Sequence, residues 1–357
     1  MGAETSRFLF EPRYFNFVLI EKRLTAQLLA GTPARDPVSV VDRLLAVQGQ
    51  DERGVRLAIR ARSAGLTAAD IDRALSEERS LVVTWLNRGT LHLVCSEDYP
   101  WLQPLTTPRL LTLNARRLSQ EGVTPSLAER GVAVIERCLA EEGPLNRAQL
   151  GARIASADVP TKGQALVHVL MLAALRGLTV RGPIIDGEHA YVLVRDWLGE
   201  PEPVDRDRAL GALARRYLAG HGPAGERDLA KWAGLTLRDA RAGLIAIASA
   251  LDVRADGLVD LASRAAAAPL PPPRLLGAYD PLLLGWTSRE PFLGSNQNLV
   301  ASGGLFRPFA LVRGRAAATW SLRAGEIEIE PFRHISRKDA SALKRDSADV
   351  IRYLGAS

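Results

Sequence analysis

Leu81-Val82-Val83-Thr84-Trp85-Leu86-Asn87-Arg88-Gly89-Thr90-Leu91-His92-Leu93-Val94 sets the architecture of this chain. Two runs rich in β-branched and apolar residues flank Asn87-Arg88-Gly89, which reads as the tight turn of a β-hairpin. Helices are expected before it. Phe17, Ile20, Leu24 and Leu28 recur at three- and four-residue spacing within 13–30, and Gly31 to Pro37 breaks the run. Asp36 or Ser39 can cap a second helix, whose apolar positions Val40, Val41, Leu44, Leu45 and Val47 run up to Gln48. Asp51 can cap a third helix reaching Ser63, and Thr67-x-x-Asp70 opens a fourth. Helices followed by a two-stranded wing make a winged helix.

The pattern recurs downstream in matching register. Gly143-Pro144-Leu145-Asn146-Arg147-Ala148-Gln149-Leu150 aligns with Gly222-Pro223-Ala224-Gly225-Glu226-Arg227-Asp228-Leu229, each placing a leucine seven residues after its glycine at a helix start. Gln164 to Arg176 then leads to a second wing over 178–193, and Leu237 to Leu251 to a third over 251–261. Ala265 to Pro273 reads as a proline-stiffened linker. Strands are expected around Arg313-Gly314-Arg315 and over Glu326 to Phe332, and a closing helix over Ser336 to Leu354.

The expected fold is α+β and helix-rich, with three tandem winged-helix motifs. The first falls in 1–125, the second in 126–200 and the third in 201–264; linker and C-terminal α+β region occupy 265–357. Winged helices most often serve nucleic acid, although some only bind proteins.

Composition narrows the function. A length of 357 residues fits two or three packed units, and no apolar run approaches the ~20 residues that span a bilayer. Met1 to Phe10 lack the apolar core and cleavage site of a signal peptide, so a cytoplasmic, nucleoid-associated location is expected. Cys95 and Cys138 show no metal-ligand or disulfide spacing, and neither metal nor cofactor is expected. The net charge of +6 is carried almost wholly by arginine, which suits phosphate contacts and also fits a GC-rich genome. Walker A, G-x-G-x-x-G, H-E-x-x-H and G-x-S-x-G motifs are all missing. The five histidines are scattered and read as structural or surface residues.

Gln48 and Gln50 draw attention instead. On a continuous helix residues two apart diverge by about 200°, whereas an extended pair projects both amides to one side. Gly49 offers the break. The two amides could then fix a water molecule, or simply close a helix end. Arg53, Arg56 and Arg60 fall on one face of the following helix, either a phosphate-binding face or a solvated one. Arg88 and His92 on the first wing, and Arg313 and Arg315 on the later hairpin, are candidates for DNA contacts; Arg88 and Arg313 should project outwards from their turns. Asp280, in Tyr279-Asp280-Pro281, is either a buried cap or a carboxylate able to stabilise a developing cation.

The chain resembles the winged-helix DNA glycosylases of the AlkZ and YcaQ type. The matching segments are Leu44 to Asp51, Thr84 to Val94 with Glu97-Asp98-Tyr99, Ala278 to Gly285, Gly303-Gly304-Leu305-Phe306, Val312 to Arg315 and Glu330-Pro331-Phe332. The resemblance implies a concave DNA-binding surface and a catalytic Gln-x-Gln matched by Gln48 and Gln50. Glutamine in the second place points to the AlkZ-like branch, which is associated with bulky or crosslinking adducts of genotoxic natural products. The middle residue of that motif is usually hydrophobic; here it is Gly49.

An amide does not titrate near neutral pH, so such a site orients water without deprotonating it. It suits a leaving group that is already cationic, as an N7- or N3-alkylpurine is. No lysine stands near the motif in sequence to form a Schiff base. The expected function is a monofunctional glycosylase acting as a monomer on alkylated double-stranded DNA. The alternative is a winged-helix DNA-binding protein or transcriptional regulator without catalysis.

Overall fold

The computed structural model describes residues 12–185, 187–200, 202–294, 299–300 and 304–355. α1 (Pro12–Ala26), α2 (Pro37–Leu44), β1 (Val47–Gln48), α3 (Glu52–Arg60) and α4 (Ala68–Ser76) lead into the first hairpin, β2 (Leu81–Leu86) and β3 (Thr90–Cys95). α5 (Tyr99–Thr106), α6 (Pro108–Gln120), α7 (Pro125–Glu142), α8 (Arg147–Ser156) and α9 (Ala165–Leu175) precede the second, β4 (Thr179–Ile185) and β5 (Glu188–Leu193). After α10 (Val194–Trp197), α11 (Arg206–His221), α12 (Glu226–Ala233) and α13 (Leu237–Ala246) precede the third, β6 (Leu251–Val253) and β7 (Val259–Leu261). The chain closes with β8 (Arg274–Leu276), α14 (Glu290–Leu293), β9 (Phe309–Val312), β10 (Arg315–Arg323), β11 (Glu326–Pro331) and α15 (Arg337–Leu354).

All three expected wings are hairpins preceded by helices. The aligned repeats also behave alike: Leu150 and Leu229 are fully buried, and the residue two after each glycine, Leu145 or Ala224, bridges to the second strand of its wing at Tyr191 or Val259. The first two wings are not separate, however. They join through Val83 and Arg181 into one five-stranded sheet ordered β1-β3-β2-β4-β5. Two strands alone are marginal in water, and joining the wings edge to edge pairs backbone groups that each would otherwise leave open.

Capping follows the sequence. Asp51 accepts from the Gly54 N–H and starts α3, while Thr67 and Asp70 form the expected capping box of α4. α2 stops at Leu44 rather than running to Gln48, because Leu45 turns to φ 64°. The helices of 99–142 carry no expectation from the sequence reading; α5, α6 and α7 each begin with a proline in the first turn, where its missing N–H costs nothing.

The C-terminal third packs back onto the start. Residues 265–273 are anchored rather than free: the Ala268 N–H donates to Thr25 Oγ1 at 2.9 Å, and Ala268 and Leu270 lie against the main core. β8 then joins a four-stranded sheet ordered β11-β10-β9-β8. The main core runs from Ile20 on α1 through Tyr217 and Trp232 to Phe309, so the C-terminal region shares its interior with the winged helices. Each fully buried apolar side chain in it contributes roughly 1.5–3 kcal/mol. Among the described residues no helix is long and apolar enough to cross a membrane. Met1 to Phe10 and Gly303, which entered the sequence reading, lie outside the described residues.

Candidate active site

Gln48 is extended because β1 adds to the first wing, and Gln50 follows two residues on at the bend before α3. Val47 pairs with Leu93 and Gln48 with His92, and the Gly49 N–H donates to the Leu91 carbonyl at 2.6 Å. The break that separates the pair from α2 therefore lies at Leu45, not at Gly49. A leucine at positive φ is unfavourable, and full burial of the Leu45 side chain holds it there.

The two amides touch. Gln48 Nε2 donates to Gln50 Oε1 at 2.8 Å, and Arg88 Nη2 donates to Gln48 Oε1 at 3.2 Å. Arginine offers donors only, so the Gln48 oxygen must face it and the Gln48 nitrogen must face Gln50. The amide polarity of both residues is thus set by one cation. Gln48 is buried and Gln50 exposed, which puts the inner member on the wing and the outer one at the solvent edge. Among the described residues Gln50 keeps its NH₂ donors and a lone pair free for a water molecule.

Arg88 does not project outwards from its turn. It folds inwards, donates to the Trp232 carbonyl on α12 as well as to Gln48, and has its pKa lowered first by burial and then by Arg289. His92 is also turned away from any groove: it is 2% exposed, its Nδ1 faces the Thr90 carbonyl at 2.9 Å, and burial, then Arg88, lowers its pKa to about 3. It is a neutral wall behind Gln48.

Two further cations surround Arg88. Arg289 and Lys231 each lower the pKa of a neighbour or are lowered by one, after burial, and among the described residues neither they nor Arg88 forms an ion pair with a carboxylate. Lys231 donates to the Thr287 carbonyl at 3.3 Å, and the Arg289 guanidinium lies 4.9 Å from the centre of the Phe306 ring. Phe306 in turn packs against Tyr279 at 5.7 Å between centroids. Tyr279, at φ 55°, follows Ala278, whose carbonyl approaches Gly54 so closely that a Cβ there would lie 2.4 Å from it. The fold thus sets uncompensated cations and an aromatic pair around the first turn of α3. Sequence reading missed Lys231, Tyr279, Arg289 and Phe306, because they come from elements far apart in the chain; Tyr279 and Phe306 stand inside segments already matched by resemblance.

The remaining candidates divide. Arg53 is exposed, but Arg56 pairs with Asp72 at 2.6 Å and Arg60 is 5% exposed, bound to Asp346 at 2.7 Å and Asp349 at 3.1 Å. The arginine face of α3 is therefore only partly free, because Asp72 of α4 takes Arg56 and the acids of α15 take Arg60. Arg313 is exposed and pairs with Asp339 at 3.2 Å, Arg315 is half-buried, and the Gly314 turn between them lodges against Ile20 and Leu270. Asp280 is 1% exposed, receives Arg62 on both oxygens at 2.8 and 2.9 Å and caps the Leu282 N–H. That is the buried-cap arrangement, with no free oxygen for a sugar cation. Among the described residues no cluster of metal-ligating side chains occurs.

Residues 41–353 match the family described as DNA glycosylase AlkZ-like. The chain belongs to that family. An interstrand DNA cross-link repair glycosylase of Streptomyces sahachiroi is 28% identical over 360 residues, 94% of this chain and 95% of that protein. The solved structure of Streptomyces sahachiroi DNA glycosylase AlkZ superposes with a TM-score of 0.78 at 24% identity, covering 96% of this chain and 97% of that one. As an AlkZ-like protein the chain is a DNA glycosylase. The winged-helix architecture read from the hairpins is the one this structural likeness supports.

Proposed function

We propose that this glycosylase hydrolyses the N-glycosidic bond of cationic N7- and N3-alkylpurines in duplex DNA, with Gln48 and Gln50 holding the water. The observation that carries this reading is the chain of donors from Arg88 through Gln48 to Gln50. It orients two groups that cannot take a proton at neutral pH. Without a general base the C1′–N bond must break ahead of attack. Its electron pair passes to the base and cancels the positive charge there, leaving an oxocarbenium-like sugar. The water oxygen then bonds to C1′ and its proton leaves to solvent.

The cations around Arg88 suit the phosphates flanking the damaged nucleotide, and exposed Arg53 and Arg313, with half-buried Arg315, are the candidates for wider contacts. The relative that repairs interstrand cross-links supports extending the substrates to bulky and crosslinking adducts, of the kind genotoxic natural products leave. The chain alone supplies every group in the site, so a monomer suffices. A duplex carrying N7-methylguanine, and a matched one carrying uracil, test the reading. Release of methylguanine with an intact abasic strand and no release of uracil is expected; release of uracil at an equal rate would remove the need for a cationic base.

A further inference from the structure

Beside the glutamine pair runs a groove of about 530 Å³ between α6 and α12. Its size falls among small-molecule sites, roughly 300–1,000 Å³. Leu110 and Leu113 face it from α6, Ala230 from α12 and Leu235 from the loop beyond. Leu113 is 58% exposed, a large apolar side chain left in water. A sugar-phosphate strand by itself gains little from such walls.

The floor is Asn87 and Arg88, the turn of the first wing. Asn87 is 1% exposed, and among the described residues neither its amide oxygen nor its nitrogen has a hydrogen-bond partner. An unmatched buried amide is unfavourable, and here it lies beneath the groove surface and holds the turn rather than facing a ligand. α12 can close on this turn only because Gly234 ends it at φ 70°: a Cβ there would lie 2.3 Å from the Asn87 carbonyl oxygen. Arg88 belongs to both places, lining the groove while its guanidinium donates to Gln48. Arg109 and Lys231 stand exposed beside the apolar walls.

We propose that this groove receives the apolar, ring-bearing substituent of a bulky alkylpurine. The inference rests on the glycosylase reading of Gln48 and Gln50. Arg88 lines the groove and bonds Gln48, so a substituent on the base under attack would enter beside it, and Arg109 and Lys231 would meet phosphates on either side. The groove therefore selects among adducts by what hangs from the purine.

Single-turnover release of N7-benzylguanine and N7-methylguanine from the same duplex tests this. In Ala230→Phe, which fills the groove, the benzyl-to-methyl rate ratio should fall about 10-fold, the scale of discrimination a hydrophobic pocket achieves. Leu113→Gln, at an exposed position that the fold does not need, should lower the ratio in the same direction and serves if Ala230→Phe does not fold. A ratio unchanged in a folded variant, or equal losses on both substrates, overturns the groove assignment while the glycosylase reading stands. Release of neither base by the wild-type protein overturns both.

Discussion

Arg88 donates to the Gln48 side-chain oxygen at 3.2 Å across forty residues of chain, and so fixes which end of that amide meets Gln50. Loss of this contact should disorder the pair rather than weaken DNA binding alone. In Arg88→Met the single-turnover release rate is expected to fall about 10- to 100-fold, as for loss of a charge-assisted hydrogen bond of ~1.5–3 kcal/mol. Affinity for undamaged duplex should fall much less. Arg88→Lys keeps the charge without the planar fork and should restore affinity more than rate. Equal losses in rate and affinity would make Arg88 a phosphate contact only.

Gly49 occupies a place where a side chain has room. The nearest atoms to a Cβ added there would be the Leu91 carbonyl group at 3.6 Å and the His92 nitrogen at 3.7 Å, ordinary contacts. It would face a small hollow whose apolar side is Val55, Ile71, Leu75, Val83 and Leu93 and whose polar side is Glu52, Arg56, Arg181 and His189. Gly49→Val should raise stability in denaturant melts by about 0.5–1 kcal/mol, through lower unfolded-state entropy and added burial. The backbone pairing with Leu91 sets the amides, so release activity should persist. Loss of activity with higher stability would mean that the hollow itself is used.

Asp280 should behave as a structural residue. Its partner Arg62 is fully buried, and breaking such a pair typically costs about 3–5 kcal/mol because a charge is left unmatched. Asp280→Asn is expected to lower the denaturation midpoint strongly while folded protein still releases base. A fully folded Asp280→Asn protein without turnover would restore the carboxylate to the chemistry.

Buried histidines make the fold sensitive to acid. Burial is the first cause that lowers His92 and His221 to about 3 and His189 to about 4. Unfolded histidine titrates near 6.5, so above that pH both states are neutral and no penalty exists. As pH falls below it the unfolded chain takes up protons that the fold refuses. Stability should therefore drop by about 1.4 kcal/mol per pH unit for each such histidine, down to roughly pH 4. Denaturant melts at pH 7.0 and 5.5 check this, and His221→Gln should flatten the slope whatever it does to the level. A pH-independent midpoint would contradict it.

Hydrolysis without strand cleavage is expected even though the fold brings Lys231 beside Arg88, a proximity invisible in sequence. Its ammonium is engaged by the Thr287 carbonyl. Borohydride reduction during turnover should trap no protein–DNA adduct; a trapped adduct lost in Lys231→Arg would assign it a Schiff base.

Much of this was legible because its causes are local. The hairpin at Asn87-Arg88-Gly89, the caps at Asp51 and Thr67 and the paired repeats at Leu150 and Leu229 follow from turn chemistry and periodicity. The amide pair was legible as two residues, but not its orientation, which Arg88 supplies from another strand. Arg60 misled for the same reason: its helical face is regular, and its acids Asp346 and Asp349 lie nearly three hundred residues away. The merger of the first two wings depends on the pairing of Val83 with Arg181, which no local pattern announces.

Excision of N7-methylguanine from a duplex by the wild-type protein and by Gln48→Ala/Gln50→Ala compares the chemistry with and without its water-holding pair. Rapid formation of alkali-labile abasic sites by the wild type, reduced about 100- to 1,000-fold in the folded double variant, is the expected result, as for loss of oriented donors in an enclosed site. Equal rates in the two proteins would show that Gln48 and Gln50 do not hold the water.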